Sequence, residues 1–250
     1  MSTPLEILLD PVTLTVIAIF GTLFTWETLF PARKLPKVKF WFPRGFIFFL
    51  AYILLTTYIP MFWDEFLASY QLFNLAEYSL PLQIAIGVLI VEIVQYIWHI
   101  SMHKVDFMFR ISHQLHHSAE RLDVPSAFMF SLNDIIGLSL VGSLSFALIL
   151  GLTPQAITLI IYILTFLGVF QHANINTPRW LGYIIQRPES HTLHHAKGIH
   201  AYNYSDLPII DIIFGTFKNP KTYEYETGYY AGASNRIPEM LIGKDVTVPK

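Results

Sequence analysis

Residues 80–103 read LPLQIAIGVLIVEIVQYIWHISMH, an apolar run interrupted by one acid, Glu92, and closed by two histidines, His99 and His103. A membrane-crossing helix needs roughly 20 mainly apolar residues, and the stretch from about Leu80 to His99 supplies them. The spacing of His99 and His103 places both imidazoles on one helix face, a turn apart, at the membrane boundary. An ionisable group inside such a helix is costly and faces the bundle interior. Glu92, seven residues before His99, is therefore a candidate to support the histidines from below or to handle protons. The plainer alternative is a packing contact with Gln95 or Gln155.

Working outward, hydrophobic residues make up 53% of the 250-residue chain and charged ones 14%, against roughly 25% charged in a soluble domain. Further apolar segments run from about Val12 to Phe30, about Phe46 to Phe62, about Ile135 to Leu150 and Pro154 to Phe170. The last two are separated only by the turn-like Gly151 to Pro154 and are expected to form a hairpin or a shallow re-entrant pair. The expectation is one all-α polytopic membrane domain over residues 1–250, with four to five hydrophobic helices and a cytoplasmic histidine-rich helical cap. Three spanning helices occupy 12–99, a first histidine-rich segment 100–131, the hairpin 132–171, a second histidine-rich segment 172–217 and a cytoplasmic tail 218–250. Glu6 and Asp10 stand where a cleavable signal would be basic, ahead of an apolar run too long for a signal core, so the start is read as a retained helix.

Lys and Arg are retained on the cytoplasmic face during insertion. If the first helix enters from outside, Arg33, Lys34, Lys37 and Lys39 are cytoplasmic, and the next connector holds Asp64, Glu65 and Glu77 but no Lys or Arg. Carried through five crossings, this puts all 16 Lys and Arg, and all ten His, on the inner face. The expected location is a bacterial inner membrane or the endoplasmic reticulum.

All ten histidines lie between residues 99 and 200. Besides His99 and His103 there are two copies of His-x-x-His-His: His113, His116 and His117, then His191, His194 and His195. Imidazole is the commonest metal ligand, and eight clustered imidazoles exceed the four of one tetrahedral zinc, so two metals are the economical count. His172, at the same membrane face after the fifth segment, is expected to join them. His200 is expected nearby, supporting a ligand or touching substrate. The absence of cysteine excludes disulfides, thiolate zinc sites and cysteine-ligated clusters. A net charge of -2 gives no reason to invoke nucleic acid. With ligands so purely nitrogenous and neutral, iron and its chemistry with dioxygen are favoured over zinc, for which His-Glu-x-x-His is missing.

At these residues the chain resembles the fatty acid hydroxylase and sterol desaturase superfamily of membrane di-iron oxygenases. His99-x-x-x-His103, His113-x-x-His-His117 and His191-x-x-His-His195 follow its order and spacing, and His172 with Asn174 is similar to its His-Ser-Asn element, with Ala173 for Ser. Asn203-Tyr-Ser and Asp211-Ile-Ile-Phe-Gly-Thr216 look like its closing elements. The resemblance covers about Glu92 to Phe217 and implies nine metal ligands, His99, His103, His113, His116, His117, His172, His191, His194 and His195. It further implies Asp211 as a carboxylate orienting a ligand imidazole, and Asn174 as a supporting residue. Many members carry His-Pro-x-Glu where this chain reads Phe130-Ser-Leu-Asn-Asp134, leaving Asp134 as the substitute acid.

The expected function is hydroxylation of a C–H bond of a fatty-acyl, sterol or related lipid, with two iron ions, dioxygen and electrons from a separate cytochrome, ferredoxin or reductase. Desaturation on the same centre is the alternative. Arg110, Arg121, Arg179 and Arg187 are read first as interfacial anchors and second as partners of an anionic head group. A histidine-rich metal transporter is disfavoured because no His falls at mid-membrane. A b-type cytochrome is disfavoured because it leaves His116-His117 and His194-His195 unexplained.

Overall fold

Five helices are long and apolar enough to cross a bilayer: α1 (Pro11–Leu29), α2 (Trp41–Phe62), α3 (Leu80–Lys104), α4 (Leu132–Leu150) and α5 (Pro154–His172). The computed structural model describes residues 2–249 and forms no strand among them. Local chemistry sets the starts. Pro11 and Pro154 each stand at the first helical position, where the missing N–H costs nothing. The Asp10 carboxylate accepts from Val12 N–H at 2.8 Å, and Thr153 Oγ1 accepts from Ala156 N–H at 3.3 Å, satisfying orphan donors of the first turn. α2 begins five residues before the expected Phe46, because the Trp41 indole N–H donates to Asp123 Oδ1 at 2.8 Å and the chain turns at Phe40 (φ 56°).

The fourth and fifth segments are full helices of 19 residues each, long enough to cross rather than dip. Their turn is Gly151 (φ 55°), where a Cβ would fall 2.2 Å from the Gln71 side chain. α4 ends as a π-helix from Leu144 to Leu150. Its last carbonyls, on Leu148, Ile149 and Leu150, accept from the N–H groups of Leu72, Phe73 and Leu75 at 2.7–3.0 Å. Thus a wide helical turn is completed by a loop, as backbone groups near lipid require.

α5 packs against both α1 and α3, while α4 packs against α2 and α3. Phe20 of α1 and Phe49 of α2 stack at 4.2 Å, and Phe128 from the connector joins them at 5.0 Å from Phe49. A second apolar cluster of Val91, Val141, Leu152 and Ile160 ties α3, α4 and α5. The outer faces, with Leu14, Ile47, Leu89 and Ile97 exposed, present apolar side chains to the bilayer. The segment after residue 218 folds back over the histidine end: Tyr229 OH donates to Gln114 O, and Gln114 Nε2 donates to Lys244 O, both at 2.9 Å.

Helices in lipid gain from close backbone approach at small residues. At Gly45 of α2 an added Cβ would lie 2.5 Å from the Pro125 carbonyl oxygen, whereas at Gly21 of α1 nothing lies within 4 Å. Gly45→Ala is expected to destabilise the protein by about 1–3 kcal/mol, as overpacking does. Gly21→Ala, gaining helix propensity, is expected to be neutral or stabilising. Thermal unfolding of the two variants in one detergent checks the pair.

Candidate metal centre

His99 and His103 leave the last two turns of α3, and His172 is the last residue of α5. His113 closes a π-turn, Phe109–His113, and His116 and His117 follow on the short helix Gln114–His117. His191 and His194 lie on the helix Pro188–His194, with His195 at its end. These nine converge as two groups: His99, His103, His113, His117 and His194, and His116, His172, His191 and His195. Within each group one ring nitrogen per residue lies within 4.8 Å of all the others.

The division explains the repeated motif. Neighbours on a helix point about 100° apart, while residues four apart share a face. His113 and His117 accordingly enter the first group and His116 the second. In the other copy His191 and His195 enter the second group and His194 the first. Each motif gives a pair to one group and a single imidazole to the other, so the two segments interlock: the His117 and His195 rings stack at 4.2 Å.

Tautomers follow from the acceptors around the rim. His99 Nδ1 faces the Tyr204 carbonyl at 2.7 Å, His113 Nδ1 the Asp134 carboxylate at 2.8 Å, His172 Nδ1 the Gly168 carbonyl at 2.6 Å and His194 Nδ1 the Tyr202 carbonyl at 2.7 Å. Each Nδ1 must carry its proton to donate, leaving Nε2 with a lone pair. Two of those lone pairs face each other, His113 and His99 Nε2 at 3.0 Å, and that of His172 Nε2 is 3.1 Å from His116 Nε2 and 3.2 Å from His191 Nε2, only one of which can donate to it. Acceptors converging on acceptors are repulsive unless a cation lies between them. The donor set therefore fits one metal ion per group. Burial holds His116, His117, His191, His194 and His195 well below the usual imidazole pKa, with neighbouring imidazoles adding to the effect. They are neutral at pH 7, the form that binds metal.

The expected supporting residues divide. His200 sits with its Nδ1 3.0 Å from His117 Nδ1, and burial brings its pKa down to about 4. Asp134 holds His113 directly. Asp211 does not touch an imidazole: it accepts from the N–H groups of Tyr204 and Ser205 at 2.8 and 3.0 Å and from Thr216 Oγ1 at 2.6 Å. Glu92 contacts neither the metal groups nor Gln95 or Gln155, accepting instead from Ser205 Oγ (2.8 Å), Asp206 N–H (2.9 Å) and Leu207 N–H (3.3 Å). Both carboxylates act through the peptide, fixing the turn whose Tyr204 carbonyl orients His99. Asn174 is also removed from the histidines, donating through Nδ2 to Arg33 O at 2.8 Å and through its N–H to Glu27 Oε2 at 2.9 Å. After α5 the backbone runs extended past the end of α1, which turns Asn174 toward that connector.

Glu27 is a residue the sequence reading passed over. Only 6% exposed near the end of α1, it accepts from Val124 N–H at 3.0 Å as well as from Asn174, joining both histidine segments to the first helix. Its signal was present, an acid inside an apolar run, the same signal that singled out Glu92. The backbone of the loop at 200–204 carries no comparable mark, yet His200, Tyr202 and Asn203 adopt φ of 43°, 68° and 51° there. Such left-handed residues are costly and collect at functional sites; here they present the Tyr202 carbonyl to His194.

A cavity of about 800 Å³ opens from the histidines into the bundle, reaching His99, His113, His116, His172 and His191 at one end and Met61, Asp64 and Val12 at the other. None of the four arginines suggested for a head group lines it. Arg110 pairs with Asp106, Arg121 with Asp123 and the fully buried Arg187 with Glu189, at 2.7–3.0 Å. Arg179 Nε donates to Asn219 O at 3.3 Å. Arg187 is not an interfacial anchor either, since it braces the start of the helix that carries His191.

The class is thus a multi-pass α-helical membrane protein with two histidine groups suited to metal beneath an apolar cavity. The fatty acid hydroxylase family model matches residues 84–216, more than half of the chain, and the chain belongs to that family, within the fatty acid hydroxylase and sterol desaturase superfamily. No curated protein and no solved structure matches it.

Loss of an imidazole's hydrogen-bond partner typically costs about 10–100-fold in metal affinity. Asp134→Ala is expected to lose metal from the five-histidine group at chelator concentrations that leave the four-histidine group loaded, whereas Asn174→Ala retains both; metal content after graded chelation checks this. For the metal-free protein, the unfolded histidines titrate near ~6.5 and the buried ones lower, His200 at about 4. Between those values the unfolded state binds more protons, so stability rises with pH. Melting temperature should therefore fall as pH drops from 7 to 4, which a buffer series measures.

Proposed function

We propose that this protein is a non-haem di-iron oxygenase that hydroxylates a C–H bond of a membrane lipid. The observation that carries the reading is the pair of imidazole groups with lone pairs turned inward, set at the end of an apolar cavity inside the bundle. Two bound iron ions, one in each histidine group, would supply activation of dioxygen for insertion of one oxygen atom, with two electrons from a separate donor protein. His99, His103, His113, His117 and His194 hold one ion, and His116, His172, His191 and His195 the other.

The protein's own part is positioning and exclusion. Ile53, Val141, Phe146, Ile161 and Leu164 line the cavity, so an apolar chain lies there with bulk water excluded, which protects a strong oxidant from quenching. The Tyr202, Tyr204 and Gly168 carbonyls and Asp134 hold the imidazoles' outer protons and fix ring direction. Electrons come from a cytochrome, ferredoxin or reductase, because the chain has no cysteine to ligate an iron–sulfur centre and no Gly-x-Gly-x-x-Gly motif. The connector bearing Arg33, Lys34, Lys37 and Lys39 orients the histidine end and the carboxyl terminus to the cytoplasm.

Purified protein is expected to contain about two iron ions per chain without a haem Soret band, and under labelled dioxygen its lipid product should gain one labelled oxygen atom. Replacement of His116 or His194 with Ala should abolish turnover and lower bound iron while membrane insertion persists. An unlabelled alkene product would turn the reaction to desaturation, and a product labelled from water would exclude oxygenation. A reporter fused after residue 250 should be active only in the cytoplasm and one near Gln71 only outside.

A further inference from the structure

The cavity is long as well as apolar. On α5 its wall is formed by Ile157, Ile161, Leu164, Gly168 and His172, which are three or four residues apart and so share one helix face. From 157 to 172 the helix rises about 22 Å. On α4 the wall runs from Asp134 to Ala147, about 20 Å by the same rise. The far end lies at the opposite membrane boundary, since Val12 is the second residue of the α1 span and Met61 the last but one of the α2 span.

The two ends differ in access. At the histidine end His113, His116, His172, His191 and Asp206 are each no more than 5% exposed, beneath the segment that folds back after residue 218. At the far end Met61 is 52% exposed and Glu65 is exposed. The chemistry of the closed end sharpens the difference. No Lys or Arg lines the cavity anywhere, and the acids at the histidine end are taken, Asp134 by His113 and Asp206 by Gln171 Nε2 at 2.7 Å. Gln95, one turn below His99, is a neutral amide. An ionic head group of either sign carried to that end would lose its water without gaining a counter-charge, which is expensive. A methyl end passes from lipid to an apolar wall at little cost, because lipid chains are as apolar as the side chains that replace them.

We propose that the cavity receives one long alkyl chain methyl end first, with the polar end left at the membrane face opposite the histidines. An alkyl chain of ~1.5 Å bonds at ~111° advances about 1.25 Å per carbon, so a depth of about 20 Å takes roughly 16 carbons. The carbon presented to the histidine groups is therefore near the chain terminus, far from the head group. The inference deepens the oxygenase reading above and rests on it for the reaction. One atom of dioxygen enters the C–H bond, the other leaves as water, and the donor protein supplies two electrons, with two protons from solvent.

Gly142 offers a place to block the bore. It lines the cavity on α4 and lies two residues from exposed Leu140, roughly 200° around the helix from that lipid-facing side chain. A Cβ added at Gly142 would meet only the Phe146 ring, at 3.8 Å, so a larger side chain can occupy cavity space without displacing a packed neighbour.

The test is photo-crosslinking of the purified full-length protein in lipid nanodiscs with two analogues of 1-hexadecanol, one carrying a diazirine at carbon 15 and the other at carbon 3. Labelled residues are located by mass spectrometry, specific labels are those removed by excess 1-hexadecanol, and iron is measured on the same samples. The alcohol is uncharged and free to enter either way, so the pattern reports orientation. The carbon-15 probe should label residues 95–102 and 164–172, and the carbon-3 probe residues 57–61 and 12–16. Gly142→Leu should abolish labelling of the histidine end by the carbon-15 probe and leave iron content unchanged. The reverse pattern, the same pattern from both probes, or no specific label in the cavity would overturn the assignment in the unaltered protein, whatever the fate of the variant. Undiminished labelling of the histidine end in folded Gly142→Leu would overturn it as well. The predicted pattern in protein that holds no iron and forms no product would instead fault the oxygenase reading and leave the orientation of the chain standing.

Discussion

Two adjacent imidazoles on a helix cannot serve one metal, because their side chains diverge by about 100°. The rest of the architecture follows from this. His116 and His117 face different groups, as do His194 and His195, so neither motif completes a group alone. The two segments have to meet face to face, which the stacked rings of His117 and His195 record. Their separation in sequence is spent on α4 and α5, which run out to the far face and back. His99 and His103 from α3 then bring the first group to five, and His172 from α5 brings the second to four.

Around this centre the charges stand at one remove. A divalent ion held by neutral imidazoles would retain its charge, and a carboxylate in direct contact would reduce it. Among the acids nearby, only Asp134 hydrogen-bonds a ligand ring directly, at 2.8 Å. The other outer nitrogens with partners face the carbonyls of Tyr202, Tyr204 and Gly168 or the ring of His200. A carbonyl fixes ring direction and tautomer as a carboxylate does, without a full negative charge. The four-histidine group is the less braced of the two, since the Nδ1 atoms of His116, His191 and His195 have no partner among the described residues.

Whatever depended on side-chain type and spacing was legible in the sequence: the apolar segments, the histidine motifs, the placement of His172 and the substitution of Asp134 for the missing acid. Whatever depended on backbone atoms was not. The carbonyls of Tyr202 and Tyr204 orient two imidazoles, but a carbonyl belongs to every residue, and the left-handed loop that aims them contains no glycine between His200 and Tyr204 to mark it. The roles of Glu92, Asp211 and Asn174 were misplaced for a related reason. A polar residue near a ligand in sequence was expected to touch it, whereas these hold the turn or connector beside it. Arg187 was misread because burial, which decides whether a cation is available at the membrane surface, is set by distant partners such as Asn219, whose Oδ1 accepts from Arg187 Nη1 at 2.9 Å.

The three misjudged or overlooked acids share a task set by the bilayer. Loops that carry ligands into the membrane end of a helical bundle bring backbone N–H groups that no helix satisfies and that water reaches poorly. Glu27 takes those of Val124 and Asn174, Glu92 those of Asp206 and Leu207, and Asp211 those of Tyr204 and Ser205. A carboxyl group suits this work because its oxygens can accept from several donors at once. Each of the three therefore gathers two peptide donors of an irregular segment onto one buried anchor. Glu27 and Glu92 project from membrane helices, so the rigidity of α1 and α3 passes to the connectors after residues 123, 173 and 204. Divided imidazoles demand two segments held in register, and these carboxylates supply the register where neither regular secondary structure nor solvent is available to do so.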